Sequence, residues 1–320
     1  MALEPEAVMD RRRIARRLTF WRFAAILLAL VVIAVLVYGD SRFQGEGSFL
    51  PNVARVKITG MISDNQRLTD LLDRLGRANQ VKAVILDIDS PGGTTTGGET
   101  LYMAIRRLAK KKPVVASCGT LAASGAYIAA IATDHIVVLG NTLTGSVGVL
   151  MQWVDASKLL NTVGVQVDSE RSGPLKAEPD PFSPATPEAR QAMQALVQDA
   201  KNWFFGLVRD RRHIDLSEVP GLTEGRVFSG REAVKYGLAD EIGDEHVALR
   251  WLQRKKGISP HLSVVTWTPE PAQQTLLGTL FGSMASAVGL PEGGITALLG
   301  KAAPPLQLDG LVSLWHATAN

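Results

Sequence analysis

Residues 81–93 read VKAVILDIDSPGG, and the fold is decided there. Val81, Val84, Ile85, Leu86 and Ile88 form an apolar, β-branched run of strand length, and Ser90-Pro91-Gly92-Gly93 after it reads as a turn. Upstream, residues 53–60 (VARVKITG) alternate as a strand does, and Leu68, Leu71, Leu72 and Leu75 make a helical stripe. Downstream, Leu101, Ile105 and Leu108 mark a helix, and residues 113–118 (PVVASC) a short strand. The small-residue segment 121–133 suits a buried helix, and residues 135–139 are again a strand. This β-α-β-α rhythm predicts an α/β domain with mostly parallel strands over residues 52–268.

The second half of that domain is expected to hold a short helix at 157–164, a strand at 165–168 and a loop with four prolines at 171–184. A long amphipathic helix follows at 187–212, with Met193, Leu196, Val197 and Phe204 on its apolar side. Helices at 228–238 and 245–253 and a late strand at 262–267 complete it. Residues 269–320 differ, being small, apolar, rich in Gly and Pro and poor in charge, and read as a separate C-terminal tail.

With 320 residues, 46% hydrophobic and 20% charged, the composition excludes a disordered, collagenous or disulfide-dense chain. Cys118 is the only cysteine, so neither an intrachain disulfide nor a cysteine zinc cage is possible. The net charge of +3 sits wholly in residues 1–22, where six arginines face Glu4, Glu6 and Asp10. The other residues balance, which argues against a nucleic-acid partner.

Residues 23–39 are free of charge and span roughly 26 Å as a helix, close to the ~30 Å hydrocarbon layer. Trp21 and Tyr38 flank this stretch where aromatic belts form. It reads as a transmembrane signal anchor, with residues 1–22 cytoplasmic by the positive-inside rule and 40–51 a polar linker. A signal peptide cleaved near Gly39 is the alternative, and either reading exports the rest of the chain.

Three places invite chemistry. Gly92 and Gly93 at a strand end let backbone N–H groups face a ligand, although Pro and Gly also mark ordinary turns. Ser124, within AASGAY at 122–127, is either a helix N-cap or a nucleophile among neighbours small enough to admit a substrate backbone. Lys176, within RSGPLK at 171–176, taken alone reads as a surface lysine. No Gly-x-Ser-x-Gly, His-Glu-x-x-His, Gly-x-Gly-x-x-Gly or Gly-Lys-Ser/Thr motif is present, so nothing in the sequence points to a His-containing triad, a catalytic metal or a nucleotide.

Together, in order, the strand with Ser90-Pro91-Gly92-Gly93, Ala123-Ser124-Gly125 with Tyr127, TGSVGV at 144–149, Ser172-Gly173 with Lys176, and GRVFSGREA at 225–233 resemble the signal peptide peptidase A (protease IV) family. The resemblance covers roughly residues 50–268. It implies a Clp-protease/crotonase-like fold preceded by one N-terminal transmembrane helix, with Ser124 as nucleophile and Lys176 as general base. It further implies Gly93 and Gly125 as oxyanion-hole N–H donors, Ser146 as a hydroxyl orienting the lysine amine, and no cofactor or metal. The expected substrates are signal-peptide remnants or exported polypeptides. The expected place is the extracytoplasmic face of the inner (plasma) membrane. A homo-oligomer is expected, either a ring in which Lys176 serves Ser124 of the adjacent subunit or an assembly in which each subunit holds a self-contained site. A crotonase-type acyl-CoA enzyme and a non-catalytic membrane scaffold are the competing functions.

Overall fold

The structure is a computed structural model that describes residues 20–29, 50–269 and 312–314. The chain divides into two units, Met1–Phe49 and Leu50–Asn320. In the first, residues 20–29 are helical (α1) and expose Trp21, Phe23 and Leu27. Among the described residues no helix is long and apolar enough to cross a membrane. Most of the expected anchor, the basic block, the linker and nearly all of the tail at 269–320 lie outside the described residues.

The second unit is built on one mixed sheet. β1 (Asn52–Ile62), β2 (Val81–Thr94), β3 (Val114–Ala123) and β8 (Ser263–Trp267) are parallel neighbours in the order β3-β2-β1-β8. β3 is shared lengthwise. Its first half pairs with β4 (His135–Val138) and its last residues with β5 (Leu143–Gly145), both parallel. β6 (Val227–Ser229) closes that edge antiparallel to β5, and β7 (Glu241–Ile242) pairs with β4. β9 (Val312–Leu314) lies antiparallel to β2.

Helices cover both faces because β2 points alternate residues to opposite sides. Val84, Leu86 and Ile88 join a core with α2 (Gln66–Arg77), α3 (Thr95–Ala109), α4 (Gly125–Ile131) and α6 (Pro187–Arg212). Ala83 and Ile85 pack instead with Val247, Ala248 and Leu252 of α8 (Glu245–Lys256). Cys118 is buried beside β2, where loss of solvent, helped by the nearby charges of Asp87 and Asp89, pushes its thiol up to about 12. Two short helices, α5 (Ser157–Thr162) and α7 (Gly230–Lys235), lie in the connections.

Local chemistry sets the helix ends. Asn65 caps α2 by accepting from the Leu68 amide, and Leu71, Leu72 and Leu75 are buried as the stripe predicts. Thr186 caps α6 by accepting from the Ala189 amide at 3.1 Å, and Pro187 fills the first turn where its missing N–H costs nothing.

Several expectations need correction. Ser90-Pro91-Gly92-Gly93 is not a turn but the last part of β2, because β1 stays paired with it through Gly93. The expected helix at 121–133 begins only at Gly125, since residues 121–123 pair with β5. Residues 165–168 form no strand, and Val165 and Val167 are exposed with no sheet edge beside them. The expected helix at 228–238 is β6 followed by α7. On α6 the buried residues are Ala189, Phe204 and Val208, while Leu196 faces solvent.

At the other end of β4, Arg212 donates to both oxygens of Asp240 at 2.6 and 3.2 Å, and the Ile136 amide donates to the same carboxylate at 2.7 Å. Burial works against the Asp240 charge, but these donors outweigh it and hold the carboxyl below its ordinary 3.8. The stabilisation is therefore complete above the ordinary value and is lost as pH falls through the lower native one. Asp240→Asn should cost about 2 kcal/mol at pH 7. In urea denaturation the gap between variant and wild type should narrow at pH 3; an equal gap at both pH values would contradict this account.

Candidate active site

The site forms where three parallel strands end. Pairing of β2 with β3 stops at Ser90↔Ala122, and β5 runs beside β3 up to Ala123↔Gly145. The next residue on β3 is Ser124 and the next on β5 is Ser146, so the two serines leave adjacent strand ends. In α/β sheets ligands collect at this carboxyl edge.

Ser124 turns the chain from β3 into α4 within one residue. Its φ of 57° and ψ of −119° are costly for a side chain with a Cβ, on the order of 1–3 kcal/mol. Two hydrogen bonds hold it there: the Ser124 amide donates to the Gly145 carbonyl at 2.8 Å, and its own carbonyl accepts from the Ile128 amide at 3.1 Å. Its hydroxyl makes no capping bond to α4, so the N-cap reading fails. α4 is buried along its whole length, and the Tyr127 hydroxyl donates to the Leu238 carbonyl at 2.8 Å, which fixes the helix that Ser124 starts. Burial pushes the Tyr127 phenol up, so it stays a donor.

Gly93 is glycine for a steric reason. A Cβ there would stand 1.7 Å from the Ile62 carbonyl oxygen of β1. The strip before it is set by Ser90, whose hydroxyl donates to the Gly60 carbonyl at 2.6 Å and accepts from the Gly92 amide at 3.1 Å. Gly92 takes a φ of 100°, open to glycine and strained for other residues. Gly125 is the first residue of α4, so its N–H has no intrahelical acceptor. Ser146 is half-buried with φ 50°, and its amide donates to the Arg226 carbonyl at 2.9 Å. The structure thus brings Gly93, Ser124, Gly125 and Ser146 to one sheet edge.

Lys176 stands apart from them. It is exposed on the loop between α5 and α6, and no hydrogen bond joins it to Ser124 or Ser146 in the same chain. The loop is nevertheless ordered by a fork. Arg171 pairs with Glu178 through one nitrogen and with Asp180 through another, and all three side chains are largely buried. Lys176, Arg171, Val167, Ala177 and Phe182 line a hollow of about 580 Å³. Of its lining, Val167 and Phe182 are about half exposed, as is Leu175 next to Lys176 in the chain.

Sequence reasoning missed Ser90, Gly145 and Arg171. The Ser90 hydroxyl beside two glycines was a usable signal. The Arg171 fork closes over seven and nine residues in a proline-rich loop, where no periodicity reveals it.

The profile described as peptidase family S49 matches residues 106–259. A Synechocystis protein provisionally described as a protease is 32% identical over 75% of this chain and 88% of its own length. One from Methanocaldococcus jannaschii, also provisionally a protease, is 32% identical over 74% of this chain and 73% of its own. One from Enterococcus faecium, provisionally described as a signal peptide peptidase, is 28% identical over 72% of each.

The Gly93 contact makes a steric prediction. Gly93→Ala must displace the β1 backbone and should lose at least about 3 kcal/mol of stability. Gly173→Ala, where a Cβ meets nothing within 4 Å, should stay within about 0.5 kcal/mol of wild type. Chemical denaturation of both checks it, and a neutral Gly93→Ala would refute the close approach.

Proposed function

The chain belongs to peptidase family S49 and is a serine-type peptidase; from that premise we propose that Ser124 is its nucleophile and Lys176 of a neighbouring copy its general base. The observation that carries the proposal is the strained, uncapped Ser124 at a strand-to-helix turn. Such a turn lifts a hydroxyl clear of its own backbone and is kept only where the surrounding structure forces it.

In this reading an extended peptide lies across the strand ends with its carbonyl carbon against the Ser124 Oγ. The Oγ attacks while its proton passes to the neutral amine of Lys176. The tetrahedral oxyanion takes the N–H groups of Gly93 and Gly125, each such donor being worth roughly 10²–10³ in rate. Lys176 returns the proton to the departing amine, leaving an acyl-enzyme at Ser124. A water deprotonated by Lys176 then releases the acyl product and restores the serine. In the same reading Ser146, which leaves the strand beside Ser124, accepts a hydrogen bond from the amine and keeps its lone pair directed at the Oγ.

A lysine acts as a base only when burial disfavours its charge. In one chain Lys176 is exposed, on a hollow that also carries the half-exposed Val167 and Phe182. A second copy packed there covers the apolar face, dehydrates the amine and supplies the serine. Both needs are met by a ring in which each site draws Ser124 and Lys176 from different subunits.

The family assignment and the nucleophile's place at the end of β3 also support a Clp-protease/crotonase class of fold. The uncharged residues 23–39 behind six arginines support a single-pass anchor in the plasma membrane, with the catalytic unit outside the cytoplasm. That topology, and the description of the Enterococcus faecium relative, support signal-peptide remnants as substrates.

Ser124→Ala and Lys176→Ala should each abolish peptide hydrolysis with near-native melting curves, and Lys176→Arg should not rescue, because a guanidinium does not deprotonate in a protein. Mixing Ser124→Ala with Lys176→Ala subunits should restore part of the activity, since some junctions pair two intact groups. Persistent inactivity of a verified mixed oligomer would exclude the shared site. In the wild type kcat/KM should rise from pH 6 to 9, as a base that must be unprotonated requires.

Reporter fusions placed after residue 45 should signal from the non-cytoplasmic side. A cytoplasmic signal would overturn the topology and, with it, the substrate class.

A further inference from the structure

The parallel strands start side by side. Asn52 of β1 pairs with Val81 and with Ser263, and Val114 enters beside Val84, so β1, β2, β8 and β3 share one amino edge, opposite the edge that carries Ser124. A parallel sheet also returns its covering helices to that side. The C-termini of α2, α3 and α8 lead within a few residues into β2, β3 and β8.

Cations collect there. Arg77 ends α2, Lys82 opens β2, Lys110 and Lys111 follow α3, and Arg254 and Lys255 sit in the last turn of α8. All are exposed, and none makes an ion pair among the described residues. Asp73 and Asp134 stand nearby but are engaged, Asp73 by Arg107 at 3.2 Å and Asp134 by the Val114 amide at 3.0 Å. Stabilisation of helix ends does not account for the cluster. Basic residues in a last turn do favour a helix, but the end of α2 already has a donor in Lys112, whose ammonium bonds the Ala78 carbonyl and, at 2.7 Å, that of Val81. Burial, and then the neighbouring charges of Lys82 and Lys111, push that ammonium below its ordinary pKa. Like charges gathered in this way repel one another unless a negative partner meets them.

Leu50, where the unit begins, enters at the same edge and is exposed. We propose that the amino edge is a docking surface for an anionic lipid bilayer, which holds the Ser124 edge outward. The proposal rests on the reading of residues 23–39 as a membrane anchor. The segment 40–49 can extend to at most about 35 Å, so an anchored chain keeps Leu50 near the headgroups. The cations beside it then fall within the negative surface potential. They come from α2 and α3 on one face of the sheet and α8 on the other, a spread that suits a surface better than a single bound anion. From Val81 to Ser90 the strand rises about 30 Å, so a substrate still held in the bilayer must extend about nine residues beyond it to reach Ser124.

The full-length protein in phosphatidylcholine vesicles, with and without phosphatidylglycerol, tests this. Because Cys118 is buried, a fluorophore can be placed on Asn79→Cys, just past α2, or on Arg67→Cys, in its first turn. Nitroxide-labelled headgroups then report which end of the helix meets the lipid. With phosphatidylglycerol, quenching of the Asn79→Cys label should exceed that of the Arg67→Cys label about threefold. The excess should vanish in phosphatidylcholine alone and in about 0.5 M salt, where screening leaves only a few ångströms of reach. It should also vanish when Lys82→Glu, Lys110→Glu and Lys111→Glu are combined, with melting temperature and peptide hydrolysis in detergent unchanged. Equal quenching of the two labels, or an excess that survives charge reversal, would overturn the docking edge. So would a preference of the same lysines for duplex DNA over anionic vesicles. Release of the protein by alkaline carbonate would instead overturn the anchor. The two labels would still decide the edge in protein added to anionic vesicles, and failure to bind them would refute it.

Discussion

One backbone hydrogen bond organises the catalytic edge: the Ser124 amide donating to the Gly145 carbonyl at 2.8 Å. It ties the end of β3 to the end of β5 at the residue where β3 must stop. Without it, Ser124 would relax from its positive φ and the chain would enter α4 by an ordinary, wider turn. The bond is possible because Gly145 itself takes a φ of 80°, packed so closely that a Cβ would meet the Phe228 ring at 2.7 Å. The strain at Ser124 is thus sustained by close packing two strands away, and Phe228 is among the largest fully buried side chains.

The same economy holds on the other side of Ser124. Gly93 touches the Ile62 carbonyl because β1 and β2 stay paired beyond the point where β3 departs. The oxyanion donor proposed there needs no side chain, only a strand kept straight past its usual end. Lys176 is treated in the opposite way. It is exposed on a loop outside the sheet, and the Arg171 fork to Glu178 and Asp180 braces that loop. A rigid half-site on the sheet and a rigid half-site on a loop suit assembly from separate subunits, since neither needs the other in order to form.

Much of the fold was legible because it rests on periodicity. The stripe of α2, the whole span of α6 and the alternation of β1 are local patterns, and the structure repeats them. What escaped depends on partners distant in sequence. β3 runs on through Gly119 to Ala123 because the Asp89 carboxylate accepts from the Leu121 amide at 3.0 Å and the Thr142 hydroxyl donates to the Gly119 carbonyl at 2.6 Å. β5 and β6 are three residues each, too short to show alternation. Residues 165–168 show strand composition but no free edge receives them, and composition alone does not make a strand. Of the site, Ser124 and Gly93 were visible only in the company of the other motifs. The left-handed turn at Ser124 follows from contacts to Gly145 and Ile128, which no single segment announces.

Cys118 carries a consequence of a different kind. It lies on β3, between β2 and β4, with its thiol held protonated by burial and by the carboxylates of Asp87 and Asp89. A thiolate is the form that oxidants and alkylating reagents attack, so the native fold keeps this sulfhydryl chemically silent. The lone thiol reacts when the core around β3 opens, which makes the rate of its modification an intrinsic clock for that opening.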